Sequence, residues 1–181
     1  TDDLGATVTT VFNLSVLGPN SGNIILGTSG DDVLDGTAGP DIIDGGAGND
    51  TLQGREGTDI YVFGHGSGHD LITGRFDNGT ILEQDIVEFS ADVSAGQVVV
   101  ERVASFPDSP DSIYYDYYDP TIIRGVYLDD LRLRLTDTNE TLTVRYQLGE
   151  GEFAVSEFRF TDGTVWSAES LTPKFSKVSP G

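Results

Sequence analysis

The chain has 181 residues, of which 30 are acidic and 10 are basic, so its formal net charge at pH 7 is −20. That charge excludes nucleic acid as the expected partner, because nucleic-acid binding depends on basic side chains, and it disfavours anionic membranes and polyanionic sugars. The sequence contains no cysteine, which excludes disulfides, thiol catalysis and cysteine-based metal sites.

Composition also limits the kinds of protein to which this chain is expected to belong. With 37% hydrophobic residues and a large negative charge, the chain is expected to stay unfolded until something neutralises the charge. No apolar run reaches the ~18 residues of a membrane-spanning helix, and nothing at the N terminus is typical of a signal peptide. A chain that begins with Thr and has no methionine is expected to be a piece of a longer protein.

Residues 1–17 are predicted to be a leading strand or linker. The segment TVTTVFNLSVL within this range is β-branched and alternating, which is typical of a strand. Two interpretations remain open: the strand covers the first coil of the region that follows, or it connects to a preceding domain.

Residues 27–62 are an internal repeat of nine residues. They read GTSGDDVLD, GTAGPDIID, GGAGNDTLQ and GREGTDIYV, with glycine at the first and fourth positions, aspartate at the sixth and an apolar residue at the eighth. The first six residues of each block have turn composition. The last three are predicted to form a very short strand whose eighth residue points inward. The apolar eighth residues are Leu34, Ile43, Leu52 and Tyr61.

A turn of six residues and a strand of three make half a coil, so block n is predicted to stack on block n+2. Asp32 then lies above Asp50, and Asp41 lies above Asp59. Stacked carboxylates repel each other unless a cation lies between them. Carboxylate and carbonyl oxygens without His or Cys are typical ligands of calcium, whereas magnesium prefers a tight octahedron and keeps its waters.

The four blocks resemble the nonapeptide repeats of the RTX family of secreted bacterial proteins, whose pattern is GGxGxDxUx. Looser blocks flank them: 18–26 carries Asn23 in place of the aspartate, and 65–73 carries Asp70 after two extra residues. The resemblance implies a calcium-binding β-roll over 18–73. The candidate metal-site residues are Asp32, Asp41, Asp50, Asp59, Asp70, Asn23, Gly27, Gly30, Gly36, Gly39, Gly45, Gly48, Gly54 and Gly57.

The family pattern also implies three or four calcium ions. The predicted pairs of ligands are Asp32/Asp50, Asp41/Asp59 and Asp50/Asp70, with Asn23/Asp41 as a further candidate. Because Asp50 belongs to two of these pairs and Asp59 to one, Asp50 is expected to matter more for folding. Arg55 and Glu56 replace small turn residues, so the site at their block is expected to be the weakest.

Residues 74–172 are predicted to be a β capping module. Strict alternation on both sides of the turn 137–140 predicts one hairpin, and Asp162-Gly163 predicts another. The segments 85–89 and 158–171 resemble the haemolysin-type calcium-binding-related module, which implies that this region caps the roll. The expected fold class is therefore all-β, a parallel β-roll capped by a C-terminal antiparallel β module. Candidate strands are 85–89, 97–103, 122–127, 131–136, 141–147, 154–160 and 164–166.

An insertion at 104–127 interrupts the module, and a tail at 173–181 follows it. The insertion is rich in aspartate, which could hold a further calcium ion, and in tyrosine. Exposed tyrosines make good binding surfaces, which favours a ligand-binding surface for a glycan or a protein. The other interpretation is an extended connection whose tyrosines pack on the sheet. The residues concerned are Tyr114, Tyr115, Tyr117 and Tyr118.

No catalytic site is predicted, so the chain is not expected to be an enzyme. His65 and His69 have the spacing of a helical zinc pair, but their glycine neighbours exclude a helix and no HExxH motif is present. Ser67 has no strand-to-helix elbow around it. No spacing singles out a carboxylate pair for glycoside hydrolysis.

The leading hypothesis is a calcium-binding module that folds on calcium outside the cell. Its ligands must be ionised and the unfolded chain has no preformed site, so binding energy becomes folding energy. The resemblance implies type I secretion, a secreted or cell-surface location and a role in a larger exported toxin, adhesin or enzyme. The fragment is expected to be monomeric. The alternative hypothesis is a ligand-binding module that uses the tyrosine-rich insertion.

Overall fold

The computed structural model describes residues 22–73, 84–104, 129–148 and 155–171. Four predictions fall on residues outside these ranges: the leading strand or linker, the strand at 122–127, the tyrosines of the insertion and the tail. Within the described ranges the chain consists mainly of strands, with one 3-10 turn at Ala95–Gln97 and one short helix, α1, at Ala168–Leu171. No helix among the described residues is long and apolar enough to cross a membrane.

Six short strands run through the repeat and the looser blocks beside it. The first four have three residues each, because only the last three positions of a block lack turn residues. Their side chains alternate, and Ile43, Leu52 and Tyr61 at the eighth position are at most 1% exposed. The strands are β1 (Ile24–Leu26), β2 (Val33–Asp35), β3 (Ile42–Asp44), β4 (Thr51–Gln53), β5 (Ile60–Phe63) and β6 (His69–Ile72).

Alternate strands pair in parallel, so two blocks make one coil of the roll. β1, β3 and β5 belong to one sheet, in which Ile43 lies opposite Tyr61. β2, β4 and β6 belong to the other, in which Leu52 lies opposite Ile72. The predicted stacking of block n on block n+2 is confirmed, and the eighth residues of both sheets share one interior.

Both sheets continue beyond the roll. β7 pairs parallel with β5, and β11 pairs parallel with β7 before the chain turns back into β12. In the other sheet β10 pairs parallel with β6, and β9 and β8 follow in antiparallel order. The strands are β7 (Asp85–Phe89), β8 (Val98–Ala104), β9 (Asp129–Leu135), β10 (Thr141–Leu148), β11 (Val155–Arg159) and β12 (Val165–Ser167).

The predicted all-β class is confirmed, with a parallel roll and antiparallel strands near the C terminus. Both predicted hairpins are present, as β9–β10 and β11–β12. Gly163 has a φ of +88°, as a tight turn after Asp162 requires. Because β7 and β10 extend the sheets of the roll, neither sheet is interrupted between the roll and the predicted capping module.

Aromatic rings lie at the C-terminal end of the described roll, and outward side chains are exposed near its N-terminal end. At the C-terminal end Phe89 stacks on Phe160 with ring centroids 4.4 Å apart, and Phe160 meets the edge of Trp166 at 4.8 Å. These rings extend the apolar interior beyond the last nonapeptide. At the N-terminal end the outward side chains of Leu26 and Val33 are 67% and 79% exposed.

Candidate metal centre

A ladder of carboxylates runs along each sheet, at the point where the turns enter the strands. In the first ladder, the Asn23 N–H donates to Asp41 Oδ1 at 2.7 Å. The Asp41 N–H donates in turn to Asp59 Oδ1 at 2.8 Å. Each step spans 18 residues, which is one coil of the roll.

The second ladder has the same construction on the other sheet. The Asp32 N–H donates to Asp50 Oδ1 at 2.8 Å, and the Asp50 N–H donates to Asp70 Oδ1 at 3.0 Å. The structure therefore brings together all the predicted aspartates, in the pairs that the stacking of blocks predicts. Whether each pair binds an ion stays a prediction.

Asp85 extends the first ladder and was missed by the sequence reasoning. The Asp59 N–H donates to Asp85 Oδ1 at 2.9 Å, across 26 residues of chain. A signal was available, because Asp85-Ile86-Val87 repeats the aspartate and the apolar eighth residue of a block, and Val87 lies opposite Tyr61. No glycines stand at the matching positions before it, so the sequence predicts a strand of the capping module there and not a further block of the repeat.

The second oxygen of each aspartate decides how a cation could be held. Asp32 Oδ2 accepts hydrogen bonds from the Thr28 N–H at 2.7 Å and the Thr28 hydroxyl at 2.8 Å. Asp50 Oδ2 is buried and has no hydrogen-bond partner, in a residue that is 1% exposed. A buried ionised oxygen without a partner is costly unless a cation compensates it.

The turns bring glycine backbone close to these oxygens. A Cβ added to Gly45 would collide with Asp50 Oδ2, and one added to Gly54 would collide with Asp59 Oδ2. Among the described residues no group of three or more His, Cys, Asp or Glu side chains is placed to hold a metal ion. The aspartates would therefore act in pairs, with carbonyl oxygens of the turns as the other ligands. This set of oxygen donors fits calcium.

Burial changes the acidity of groups along both ladders. It raises the pKa of Asp70 to about 7; the hydrogen bond from the Asp50 N–H opposes this, and the charge of Asp50 adds to it. Burial, followed by the charge of Asp85, also raises the pKa of Tyr61. The Tyr61 hydroxyl accepts the Gly54 N–H at 2.8 Å and lies 3.5 Å from Asp85 Oδ2.

The histidines and the serine that were considered and rejected as catalytic residues have hydrogen-bond partners elsewhere in the fold. His65 lies between two carboxylates, with Nδ1 3.0 Å from Asp92 Oδ2 and Nε2 3.0 Å from Asp137 Oδ2. His69 Nδ1 instead lies 3.1 Å from the Thr141 hydroxyl oxygen. Ser67 is buried, and its hydroxyl oxygen accepts the Gly64 N–H at 3.1 Å.

Two regions of the chain match known families. Residues 26–61 match the RTX calcium-binding nonapeptide repeat, in four copies. Residues 130–170 match the haemolysin-type calcium binding protein related domain. The chain contains an RTX module. No curated protein matches the chain.

The match supports calcium as the metal that the RTX module binds. It ends at residue 61, whereas the carboxylate ladders continue to Asp70 and Asp85. The second match covers nearly all of β9, all of β10 to β12 and nearly all of α1. It includes nearly all of the segment 158–171 that was predicted to resemble this domain, but not the segment 85–89. The tyrosines of the insertion lie in neither match and outside the described residues, so their ligand-binding role stays a prediction.

Proposed function

We propose that the RTX module folds when calcium binds between neighbouring aspartates of the two ladders. Asp50 carries the argument, because its Oδ2 atom is buried without a hydrogen-bond partner between Asp32 and Asp70. In the absence of a cation that charge opposes the folded state. A calcium ion beside it turns the same carboxylate into a ligand, so binding energy becomes folding energy.

The pairs of neighbouring ligands in the ladders would set the number of ions. Three or four ions follow from the pairs Asp32/Asp50, Asp41/Asp59 and Asp50/Asp70, with Asn23/Asp41 as the fourth. An ion at Asp59/Asp85, a pair that the structure adds as a candidate, would raise this number by one. The candidate glycines would serve these sites by letting the turns approach the ions closely.

The calcium requirement suits a module that is exported before it folds. Metal sites of modest affinity fill at the millimolar calcium found outside cells, and stay empty where calcium is scarce. An acidic chain without cysteine would then remain unfolded until it leaves the cell. This favours type I secretion of a larger toxin, adhesin or enzyme, with residues 74–172 serving as the end-stop of the roll.

Circular dichroism during a calcium titration tests the proposal. We expect little regular structure in chelator and cooperative formation of β-structure as calcium is added, with magnesium much less effective. Asp50→Asn should raise the calcium midpoint. The matched control is Asp31→Asn, which removes one charge from the same edge of the roll but lies outside both ladders. Identical spectra with and without calcium would refute calcium-dependent folding.

A further inference from the structure

The turns of the roll fall into two classes, distinguished by the second residue of each block. In the turns 45–50, 54–59 and 65–70 the second residue has a positive φ, +84° at Gly46, +78° at Arg55 and +89° at Gly66. The fourth residue of each of these turns also has a positive φ. We call them the left-handed turns. The turns 27–32 and 36–41 have neither feature, and we call them the threonine turns because Thr28 and Thr37 are their second residues.

In both threonine turns the threonine donates hydrogen bonds to the Oδ2 atom of the aspartate. The N–H and the hydroxyl of Thr28 donate to Asp32 Oδ2, and those of Thr37 donate to Asp41 Oδ2. Each carboxylate therefore already has two donors on the oxygen that would face a cation.

In the left-handed turn 45–50 the backbone N–H of the second residue does not donate to the aspartate of its own turn. The Gly46 N–H donates to Asp44 Oδ1 at 3.0 Å, which leaves Asp50 Oδ2 without a hydrogen-bond partner. Glycine permits this backbone conformation, whereas a β-branched residue such as threonine strongly disfavours it. The second residue of the block thus decides whether Oδ2 of the aspartate is free to bind a cation.

We infer that Thr28 and Thr37 set the order in which calcium fills the roll. This inference rests on the proposed calcium-dependent folding. The pair Asp50/Asp70 is flanked by left-handed turns on both sides and binds the first ion. The pairs Asp32/Asp50 and Asp41/Asp59 each include one threonine turn and fill at higher calcium, because the ion must displace the threonine's hydrogen bonds.

The block that contains Arg55 and Glu56, expected from the sequence to hold the weakest site, then no longer does so. Arg55 takes the left-handed conformation that glycine takes at Gly46, and its guanidinium lies 2.8 Å from Asp35 Oδ2, away from Asp59. The weakest sites are therefore those that contain a threonine turn. These turns match the repeat pattern at both glycines and at the aspartate. Thr28 and Thr37 therefore lower the calcium affinity more than Arg55 and Glu56 do.

Isothermal titration with calcium tests the order of filling. Asp70→Asn should abolish the tightest binding step, whereas Asp32→Asn should leave that step in place and remove a weaker one. The opposite pattern, with the tightest step lost in Asp32→Asn and kept in Asp70→Asn, would overturn the inference.

A second set of variants tests the threonines themselves. Thr37→Gly should tighten the weaker class of sites about tenfold, which corresponds to ~1.4 kcal/mol and to the low end for one hydrogen bond to a charged group. Ala38→Gly adds the same backbone freedom one residue later without touching Asp41, and Thr37→Ser keeps both donors, so both should bind like the wild type. If Thr37→Gly binds like Ala38→Gly, the inference is wrong. A wild-type chain that binds no calcium would instead refute the proposed function itself.

Discussion

Asp50 and Asp59 occupy equivalent places, each between two neighbours on its ladder. Asp50 lies between Asp32 and Asp70, as the repeat predicts. Asp59 lies between Asp41 and Asp85, and this second neighbour removes the reason for ranking Asp50 above Asp59. An aspartate at the end of a ladder contributes to one pair, and one in the middle contributes to two.

We therefore expect Asp50→Asn and Asp59→Asn to shift the calcium midpoint of folding by similar amounts. Each shift should be larger than that of Asp32→Asn, since two sites lose a ligand rather than one. Circular dichroism at increasing calcium measures the three midpoints. A shift for Asp59→Asn no larger than that for Asp32→Asn would exclude a calcium site at Asp85.

Tyr61 replaces the aliphatic eighth residue of the other blocks and brings a hydroxyl into the interior. That hydroxyl is the partner of the buried Gly54 N–H. Tyr61→Phe keeps the ring but leaves this donor unsatisfied, so we expect a loss of about 1–3 kcal/mol of unfolding free energy. Urea denaturation at saturating calcium measures it. Tyr61→Leu restores the usual apolar residue but also removes ring volume, and should therefore cost more than Tyr61→Phe.

His65 joins three turns through two carboxylates. Hydrogen bonds to Asp137 and then to Asp92 raise the pKa of His65. A hydrogen bond from Ser90 is the main cause that lowers the pKa of Asp92, with His65 contributing. For Asp137, burial acts in the opposite direction, but the hydrogen bond from His65 helps to keep its pKa low. The protonated imidazole and the two ionised carboxylates thus stabilise one another.

The sign of the pH dependence follows from these directions. The contribution of His65 is fully present below about pH 6.5, the ordinary pKa of histidine, and is lost as the pH rises through the raised pKa. The contribution of the carboxylates is present above about pH 4 and is lost as the pH falls through their lowered pKa values. The cluster is therefore most stabilising between about pH 4 and 6.5.

Urea denaturation at saturating calcium, repeated from pH 6 to pH 9, tests the role of His65. His65→Gln should be less stable than the wild type at pH 6, and this difference should shrink as the pH rises. His69→Gln is the matched control, because His69 lies beside a threonine hydroxyl rather than a carboxylate. A difference between His65→Gln and the wild type that stays constant with pH would contradict the proposed charge on His65.

At the scale of the elements, three-residue strands are too short to be stable alone, so each depends on the coil beside it. Leu52 of β4 is fully buried, whereas Leu26 of β1 points outward and is 67% exposed. We expect Leu52→Ala to cost about 2–5 kcal/mol of unfolding free energy. Leu26→Ala should change it by about 0.5 kcal/mol or less.

Denaturation of the two leucine variants at saturating calcium provides the comparison. The substitutions are chemically identical and both sit in strands of three residues, but the side chains face opposite ways and, among the described strands, β1 is an edge strand whereas β4 lies between β2 and β6. Equal losses for Leu52→Ala and Leu26→Ala would contradict the inward and outward faces described here.

At the scale of the whole molecule, one continuous pair of sheets carries both the repeat and the strands of the predicted capping module. β7 and β10 add parallel strands to the sheets of the roll, and β11 adds another beside β7. Aromatic rings at Phe89, Phe160 and Trp166 close the interior at that end. Folding of the roll and of its cap is therefore expected to be coupled through a shared core.

The sequence by itself determined the features that depend on local spacing. A period of nine sets which residues turn, which residue points inward and which aspartates become neighbours one coil later, because two blocks make one coil. The two hairpins follow for the same reason, since alternation and an Asp-Gly turn act over a few residues. Calcium also follows from the sequence, because the repeated donors are all oxygens.

Only the tertiary structure decided the contacts between distant parts of the chain. Asp85 reaches Asp59 across 26 residues, and His65 meets Asp137 across 72 residues, at spacings that no repeat encodes. The sequence did not predict the two classes of turn, for a different reason. Thr28 and Gly46 occupy the same position of the repeat. Only the structure shows that Thr28 donates to Asp32 Oδ2, whereas Gly46 has a positive φ and Asp50 Oδ2 is buried without a hydrogen-bond partner.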